Sequence, residues 1–97
     1  MSVREDILNI LKGLKLEIAQ RYKVKGIGLF GSCNRGEQAE TSDIDLLVDF
    51  EEGADLFDLV ALAQFLEDKL RRKVDLVSRH GLREELREQV LKDVAML

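Results

Sequence analysis

Apolar residues recur along the chain with a period that changes from helical to extended several times. Between residues 5 and 21 they stand three or four positions apart, which predicts a helix with one apolar face. Residues 24–30 form a short apolar run that ends at Gly31 and predicts the first strand. Gly26 and Gly28 interrupt this run and leave two explanations open, close packing of another backbone segment or the approach of a ligand.

The most regular pattern lies in residues 43–50, which follow a polar loop at residues 31–42. Successive side chains of a strand point to opposite faces, so this run predicts a second strand with one apolar and one acidic face. The apolar face holds Ile44, Leu46, Val48 and Phe50. The other face holds Asp43, Asp45, Leu47 and Asp49. We expect Asp49 to be a solvated charge at the end of the strand.

The second half of the chain predicts a helix, a strand and a helix. Asp55 suits the N-cap of a helix that runs to about Arg71, residues 73–78 predict a third strand, and a last helix spans about residues 83–94. A strand-helix-strand succession is typical of a crossover between two parallel neighbouring strands, whereas the first two strands suit an antiparallel pair. The predicted fold is α/β or α+β, a small mixed sheet flanked by helices in the order helix-strand-strand-helix-strand-helix.

Composition and charge narrow the class of protein. The 97 residues fit one domain, residues 1–97, and nineteen Asp and Glu against fifteen Lys and Arg give a net charge of −4. An acidic chain lacks the basic surface that follows a nucleic-acid backbone, so we expect no direct nucleic-acid binding. A single cysteine excludes an internal disulfide, and no apolar stretch has the length of a membrane span, so we expect a cytoplasmic protein.

Three aspartates form the candidate chemical centre. Asp43 and Asp45 project from the same side of the second strand, and Asp75 shares that space if the third strand lies beside the second. Converging carboxylates repel one another unless cations neutralise them, and oxygen ligands at this density suit Mg²⁺ or Mn²⁺. Two such ions are the usual clamp for phosphoryl or nucleotidyl transfer. A lone Asp-x-Asp pair fits equally well on the solvated face of a half-buried sheet.

Gly31 and Ser32 supply the second half of the candidate site. A strand that runs into Gly-Ser presents backbone N–H groups and a hydroxyl to an anion, and the polar loop that carries Arg35 returns the chain to Asp43. A phosphate at this strand end, beside metal-binding carboxylates, makes a nucleotide site. The loop is not a P-loop, because the chain contains no G-x-x-x-x-G-K-S/T.

The run LFGSCNRGEQAETSDIDLLVDF, residues 29–50, resembles the signature of the DNA-polymerase-β-like nucleotidyltransferase superfamily. It is most similar to the minimal branch, the MNT-type nucleotidyltransferases. The shared pattern is Gly-Ser, then ten residues, then Asp-x-Asp, with a third aspartate on a later strand. The likeness also covers the leading helix, the long second helix and the closing LREELREQVLKD segment, and therefore nearly the whole chain.

The resemblance implies a role for each candidate residue. Gly31 and Ser32 would hold the β- and γ-phosphates of a nucleoside triphosphate, and Arg35 would be a further phosphate contact. Asp75 would also act as, or assist, the general base that activates the acceptor hydroxyl. The implied metal ligands are Asp43, Asp45 and Asp75. Asn34 departs from the small apolar residue expected at its position, but no catalytic group is missing.

The reaction that this resemblance implies is Mg²⁺-dependent transfer of AMP from ATP to a hydroxyl of a partner protein. Minimal nucleotidyltransferases of this kind are antitoxins, each paired with a HEPN-domain toxin encoded nearby, so the implied acceptor is a tyrosine of such a toxin. Because no second domain is seen, we expect the acceptor either in a homodimer groove or on the partner protein. Two alternatives stay open, a non-catalytic binding antitoxin and a homodimeric nucleotidyltransferase acting on a small molecule.

Overall fold

The computed structural model describes residues 3–31, 43–81 and 84–97. In these ranges the order helix-strand-strand-helix-strand-helix is confirmed, and a short strand follows the last helix. The elements are α1 (Val3–Tyr22), β1 (Val24–Phe30), β2 (Ile44–Phe50), α2 (Leu56–Leu70), β3 (Val74–Ser78), a 3₁₀ turn (Arg79–Gly81), α3 (Glu84–Asp93) and β4 (Ala95–Met96). None of the helices in the described ranges is both long and apolar enough to cross a bilayer.

The four strands form one mixed sheet in the order β3-β2-β1-β4. As predicted, β1 pairs antiparallel with β2, and β2 pairs parallel with β3. The parallel pair is joined through α2, which is the connection that parallel neighbours require. On the far side of β1, the short β4 adds an antiparallel pair. The strand β2 is therefore central, with β1 and β3 on either side of it.

The hydrophobic core lies between one face of the sheet and the two longer helices. Alternate residues of the strands point to this face, and apolar residues three and four positions apart on the helices meet them. On β2 the core residues Ile44, Leu46 and Val48 are all 0% exposed. The helices contribute Ile7, Leu11, Ile18, Tyr22, Leu62, Leu66 and Leu70. The predicted apolar face of β2 is thus buried, which leaves its acidic face on the other side of the sheet.

Local signals fix both ends of α2. At its start, Asp55 accepts a hydrogen bond from the Asp58 backbone N–H at 3.1 Å, and the Asp58 carboxylate accepts one from the Asp55 N–H at 3.0 Å. This reciprocal capping box satisfies two backbone donors that the helix leaves without an intrahelical partner. At the other end Arg71 takes a left-handed conformation, φ 56°, and its N–H donates to the carbonyl of Glu67. The predicted N-cap is confirmed.

The C-terminal segment explains the two glycines of β1. A Cβ atom on Gly28 would stand 2.5 Å from Sδ of Met96 and 2.7 Å from Cγ2 of Val94, and one on Gly26 would stand 3.2 Å from Cε of Met96. The glycines therefore permit close packing of the chain end, which is the first of the two explanations. The last helix, predicted over about residues 83–94, spans Glu84–Asp93, and the sequence pattern did not predict the short β4 at Ala95–Met96 that follows it.

Candidate active site

The end of one strand and the starts of two others lie together at one edge of the sheet. Because β1 runs antiparallel to β2 and β3 runs parallel to it, the end of β1 lies beside the starts of β2 and β3. Phe30, the last residue of β1, is paired with Asp45, and Gly31 follows directly. We call this side of the sheet the carboxylate edge, defined by Gly31, Asp43, Asp45 and Asp75.

Asp45 and Asp75 are direct partners across the β2–β3 pair. Neighbouring strands lie about 4.8 Å apart, and partners in a parallel ladder present their side chains to the same face. The two carboxylates therefore share one face at the same height along the strands. Asp45 is half-buried and Asp75 is exposed, so an incoming molecule reaches the pair from the Asp75 side. The sequence predicted that Asp75 would share the space of Asp45 if the third strand lay beside the second, and β3 does lie beside β2.

Gly31 lies against the other flank of Asp45. Its φ is +76°, a conformation that glycine adopts readily and that a residue with a Cβ adopts only with strain. A Cβ at this position would stand 3.3 Å from both Cβ and Cγ of Asp45 and would collide with its Oδ2 atom. The chain therefore needs glycine here for two independent reasons, backbone conformation and room for the Asp45 carboxylate.

Asp43 completes the carboxylate edge, two residues before Asp45 and exposed to solvent. In the described residues no three His, Cys, Asp or Glu side chains are gathered closely enough to make a metal site by themselves. Mg²⁺ in nucleotide enzymes uses one or two carboxylates together with phosphate oxygens and water, so the Asp45–Asp75 pair is a donor set of the right chemistry and number. These residues fit a hard divalent cation that arrives with a nucleotide.

Two of the predicted site residues, Ser32 and Arg35, lie outside the described residues, as does most of the polar loop 31–42. Their proposed phosphate contacts remain predictions. The structure brings Gly31 against Asp45 and sets Asp45 beside Asp75. Asp43 lies two residues before Asp45 at the same edge, and the described residues show no direct contact of Asp43 with the other two aspartates.

Asp49 differs from its prediction as a solvated charge. Its side chain is only 19% exposed, and its carboxylate lies 3.5 Å from Nη1 of Arg79 and 3.6 Å from Nε2 of His80. The 3₁₀ turn after β3 brings these two side chains over the end of β2, a long-range contact that no local pattern indicates. Asp49 is thus held by an ion pair with Arg79 and a contact with His80, at the edge of the sheet opposite the carboxylates.

That opposite edge also carries a groove of about 590 Å³. It lies between the start of β1, the turn after β2 and the 3₁₀ turn, and residues such as Lys25, Phe50, Leu59 and His80 line it. Gly31, Asp43, Asp45 and Asp75, the predicted site residues that the structure describes, do not line this groove.

Sequence analysis did not assign a role at the site to the basic turn Arg71–Lys73. The turn leads directly into β3, and the carbonyl of Lys73 accepts a hydrogen bond from the backbone N–H of Ile44 at 2.9 Å. Ile44 stands between Asp43 and Asp45, so the turn borders the carboxylate edge. The signal was present in the sequence as the run RRK immediately before Val74 and Asp75.

Comparison with known proteins assigns the chain to a family. The model of the nucleotidyltransferase domain matches residues 11–96. Protein adenylyltransferase MntA of Thermococcus cleftensis is 43% identical over 94 residues, which are 97% of this chain and 95% of the relative. A solved structure described as a minimal nucleotidyltransferase has 41% identity and a TM-score of 0.83, covering 98% of this chain and 95% of the other.

A third match is a complex. It contains a tri-AMPylated HEPN toxin from Shewanella oneidensis with its MNT antitoxin. The matching chain has 28% identity and a TM-score of 0.64, and the match covers 92% of this chain and 68% of that one. Together with the carboxylate edge, these matches confirm the resemblance found in residues 29–50. The chain belongs to the nucleotidyltransferase domain family, in its minimal branch, and is a nucleotidyltransferase.

Proposed function

We propose that this nucleotidyltransferase moves AMP from ATP to a hydroxyl of a partner protein, a tyrosine of a HEPN-domain toxin, and so acts as the antitoxin of that toxin. The observation that carries the proposal is the register of Asp45 with Asp75 on neighbouring strands, with Gly31 packed against Asp45. In this arrangement the glycine end of β1, the proposed phosphate site, lies on one side of the carboxylate pair, and the exposed Asp75 lies on the other.

The triphosphate is assigned to the β1 side of the site. Gly31 has no side chain, so phosphate oxygens can approach its backbone closely, and Ser32 and Arg35 follow in the sequence as further donors. Asp43, Asp45 and Asp75 would hold Mg²⁺, which when bound neutralises the charge of the triphosphate and polarises the α-phosphoryl group. We propose two ions, the usual number for phosphoryl and nucleotidyl transfer.

The acceptor is assigned to the β3 side, where Asp75 is exposed. Asp75 takes the proton of the acceptor hydroxyl as its oxygen attacks the α-phosphorus. The bond between the α-phosphorus and the oxygen that bridges to the β-phosphorus breaks, and pyrophosphate leaves with that electron pair. No side chain of the enzyme becomes covalently bound to AMP, so the residues need only to position the reactants and balance their charge.

Two matches support a protein acceptor. The MntA relative is named a protein adenylyltransferase, and in the Shewanella oneidensis complex the HEPN toxin beside its MNT antitoxin carries AMP. The identities of the acceptor residue and of the metal in this chain are part of the proposal, as are its location in the cytoplasm and its action as a single domain.

The proposal is tested by incubating the chain with Mg²⁺, ATP labelled at the α-phosphate, and the HEPN-domain protein encoded by the neighbouring gene. We expect the label to appear on the partner and to be lost in Asp45→Asn and Asp75→Asn. Mapping the labelled residue by mass spectrometry checks that it is a tyrosine. Chelation of Mg²⁺ should abolish transfer and its replacement should restore it.

The chain offers a matched control for these substitutions. Asp49 lies on the same face of the same strand, four residues after Asp45, but at the opposite edge of the sheet. Asp49→Asn should retain transfer. Partner binding and neutralisation without any label would contradict the catalytic proposal and leave a binding antitoxin, whereas labelling of a small molecule without the partner would indicate a metabolite as the acceptor.

A further inference from the structure

We infer that the turn Arg71–Lys73 is a docking surface that recognises an acidic segment of the acceptor protein and guides the acceptor hydroxyl to Asp75. This inference rests on the proposed function and names a recognition element for it. It is argued from the strand order, from the distribution of positive charge and from the Nη1 atom of Arg72, which has no hydrogen-bond partner among the described residues.

The strand order assigns the two substrates to different sides of Asp45. Gly31 follows β1, and Asp75 belongs to β3, with β2 between them. Among the described strands β3 is the outermost on its side of the sheet. A protein that brings a hydroxyl to Asp75 without displacing the triphosphate must therefore approach across β3. The residues that immediately precede β3 on this side are those of the turn Arg71–Lys73.

Positive charge is concentrated at this turn although the chain as a whole carries −4. Four of the five residues 69–73 are cationic. Lys69 lies 5.6 Å over the ring of Phe65 and so has a partner within the fold. By contrast, Arg71, Arg72 and Lys73 form no ion pair with any residue that the structure describes. Their charges are available to an anionic partner.

Arg72 gives the second, independent observation. Its Nη1 atom is shielded from solvent and has no hydrogen-bond partner among the described residues. An N–H donor in that state costs free energy until an acceptor reaches it, and a guanidinium pairs best with a carboxylate or a phosphate. A shallow groove of about 400 Å³, lined by Glu67, Arg71, Arg72 and Lys73, gives an acceptor group access to the turn.

The one acid in this groove is already engaged. Glu67 accepts a hydrogen bond through Oε2 from the backbone N–H of Val74 at 3.0 Å. Its role is to hold the first residue of β3, and the three cations exceed its single charge. The net positive charge of the groove therefore favours an acidic surface on the acceptor protein. The nucleotide is the less suitable occupant, because its phosphates are assigned to Gly31, on the other side of β2.

The test compares binding of the HEPN-domain partner by the wild-type chain and by the triple variant Arg71→Gln, Arg72→Gln, Lys73→Gln. We expect the partner Kd to rise roughly tenfold in the triple variant at low salt, and the difference to shrink as salt increases. The affinity for Mg²⁺-ATP should not change. In transfer assays the KM for the partner should rise while kcat is retained.

Two controls separate recognition from general charge and from folding. The variant Lys12→Gln, Lys15→Gln, Lys25→Gln removes the same charge from exposed positions outside the carboxylate edge and should bind the partner normally. The variant Arg71→Lys, Arg72→Lys keeps the charge and should recover most of the binding. If the triple glutamine variant does not fold, two other measurements decide. A partner Kd of the wild-type chain that does not depend on salt would refute the inference. Failure of the variant Arg71→Lys, Arg72→Lys to bind the partner would also refute it.

The outcomes distinguish this inference from the proposed function. Equal losses in the two triple variants, an unchanged partner Kd, or a loss of ATP affinity in place of partner affinity would each overturn the docking surface. Absence of any complex with the wild-type chain would also overturn it. If the wild-type chain binds the partner but transfers no AMP, the proposed reaction fails while the binding comparison still decides the role of the turn.

Discussion

Replacement of Gly31 by alanine is the sharpest single test of the site. The substitution introduces a Cβ at φ +76°, which costs about 1–2 kcal/mol in an L-residue held in a left-handed conformation. It also collides with Oδ2 of Asp45. Restoring ordinary contact distances of about 3.5 Å requires the carboxylate to move by roughly 1 Å. A displacement of that size at a reacting centre costs on the order of 10²-fold in rate.

Gly53→Ala is the matched control for this substitution. Gly53 also has a positive φ, +93°, but a Cβ there meets nothing within 4 Å. Both variants should therefore lose about 1–2 kcal/mol of unfolding free energy from backbone strain, measured by urea denaturation. Only Gly31→Ala should lose AMP transfer, measured with α-labelled ATP under single-turnover conditions.

The result that would refute this reasoning is wild-type transfer by Gly31→Ala. It would mean that the Asp45 carboxylate can move aside without consequence and that its position against Gly31 is not part of the site. A comparable loss of transfer in Gly53→Ala would also contradict the reasoning, since it would assign the effect to general destabilisation.

Three further substitutions test the frame that holds the site. Gly28→Ala should lower the unfolding free energy by about 2 kcal/mol, because its Cβ meets Sδ of Met96 at 2.5 Å, and Met96→Ala should relieve part of that loss in a double-mutant cycle. Asp55→Ala removes the capping box and should cost about 1 kcal/mol in urea denaturation, against no change for Asp68→Ala on the exposed part of the same helix. Glu67→Ala leaves the N–H of Val74 without its acceptor and should cost about 1–2 kcal/mol in thermal unfolding; an unchanged Tm would show that water replaces the carboxylate.

The elements that the sequence predicts well are those with several turns or pleats of regular pattern. The alternation in β2 and the apolar spacing of α2 extend over enough residues to determine both type and face, and Asp55 marks the start of α2 by its own chemistry. The parallel pairing of β2 with β3 then follows from the length of the connection, and it is this pairing that brings Asp45 beside Asp75.

The features that escaped prediction depend on contacts between distant parts of the chain. The strand β4 has only two residues, too few for any periodicity, and it exists because Gly28 and Gly26 leave room for Met96. The ion pair of Asp49 with Arg79 and its contact with His80 require the 3₁₀ turn to fold back over β2. Local sequence does not encode these distances, so the position of β4 in the sheet could not be derived.

The central position of β2 divides the carboxylate edge into two halves that different parts of the fold support. Asp45 belongs to β2, whose core residues are fully buried, so its position is fixed by the core and is shared by both halves. On one side the placement of Gly31 depends on β1, which packs against the C-terminal strand at Gly28. On the other side the placement of Asp75 depends on β3, whose first residue is held by Glu67.

This division has a kinetic consequence. Disturbing β1 through Gly28→Ala should weaken mainly the handling of the triphosphate, and disturbing β3 through Glu67→Ala should weaken mainly the handling of the acceptor. The KM for ATP should therefore rise in the first variant and the KM for the partner protein in the second, even where the two lose similar stability. If both variants changed both constants equally, the two halves would not be separately supported, and the register of β2 with its neighbours would be a property of the sheet as a single unit.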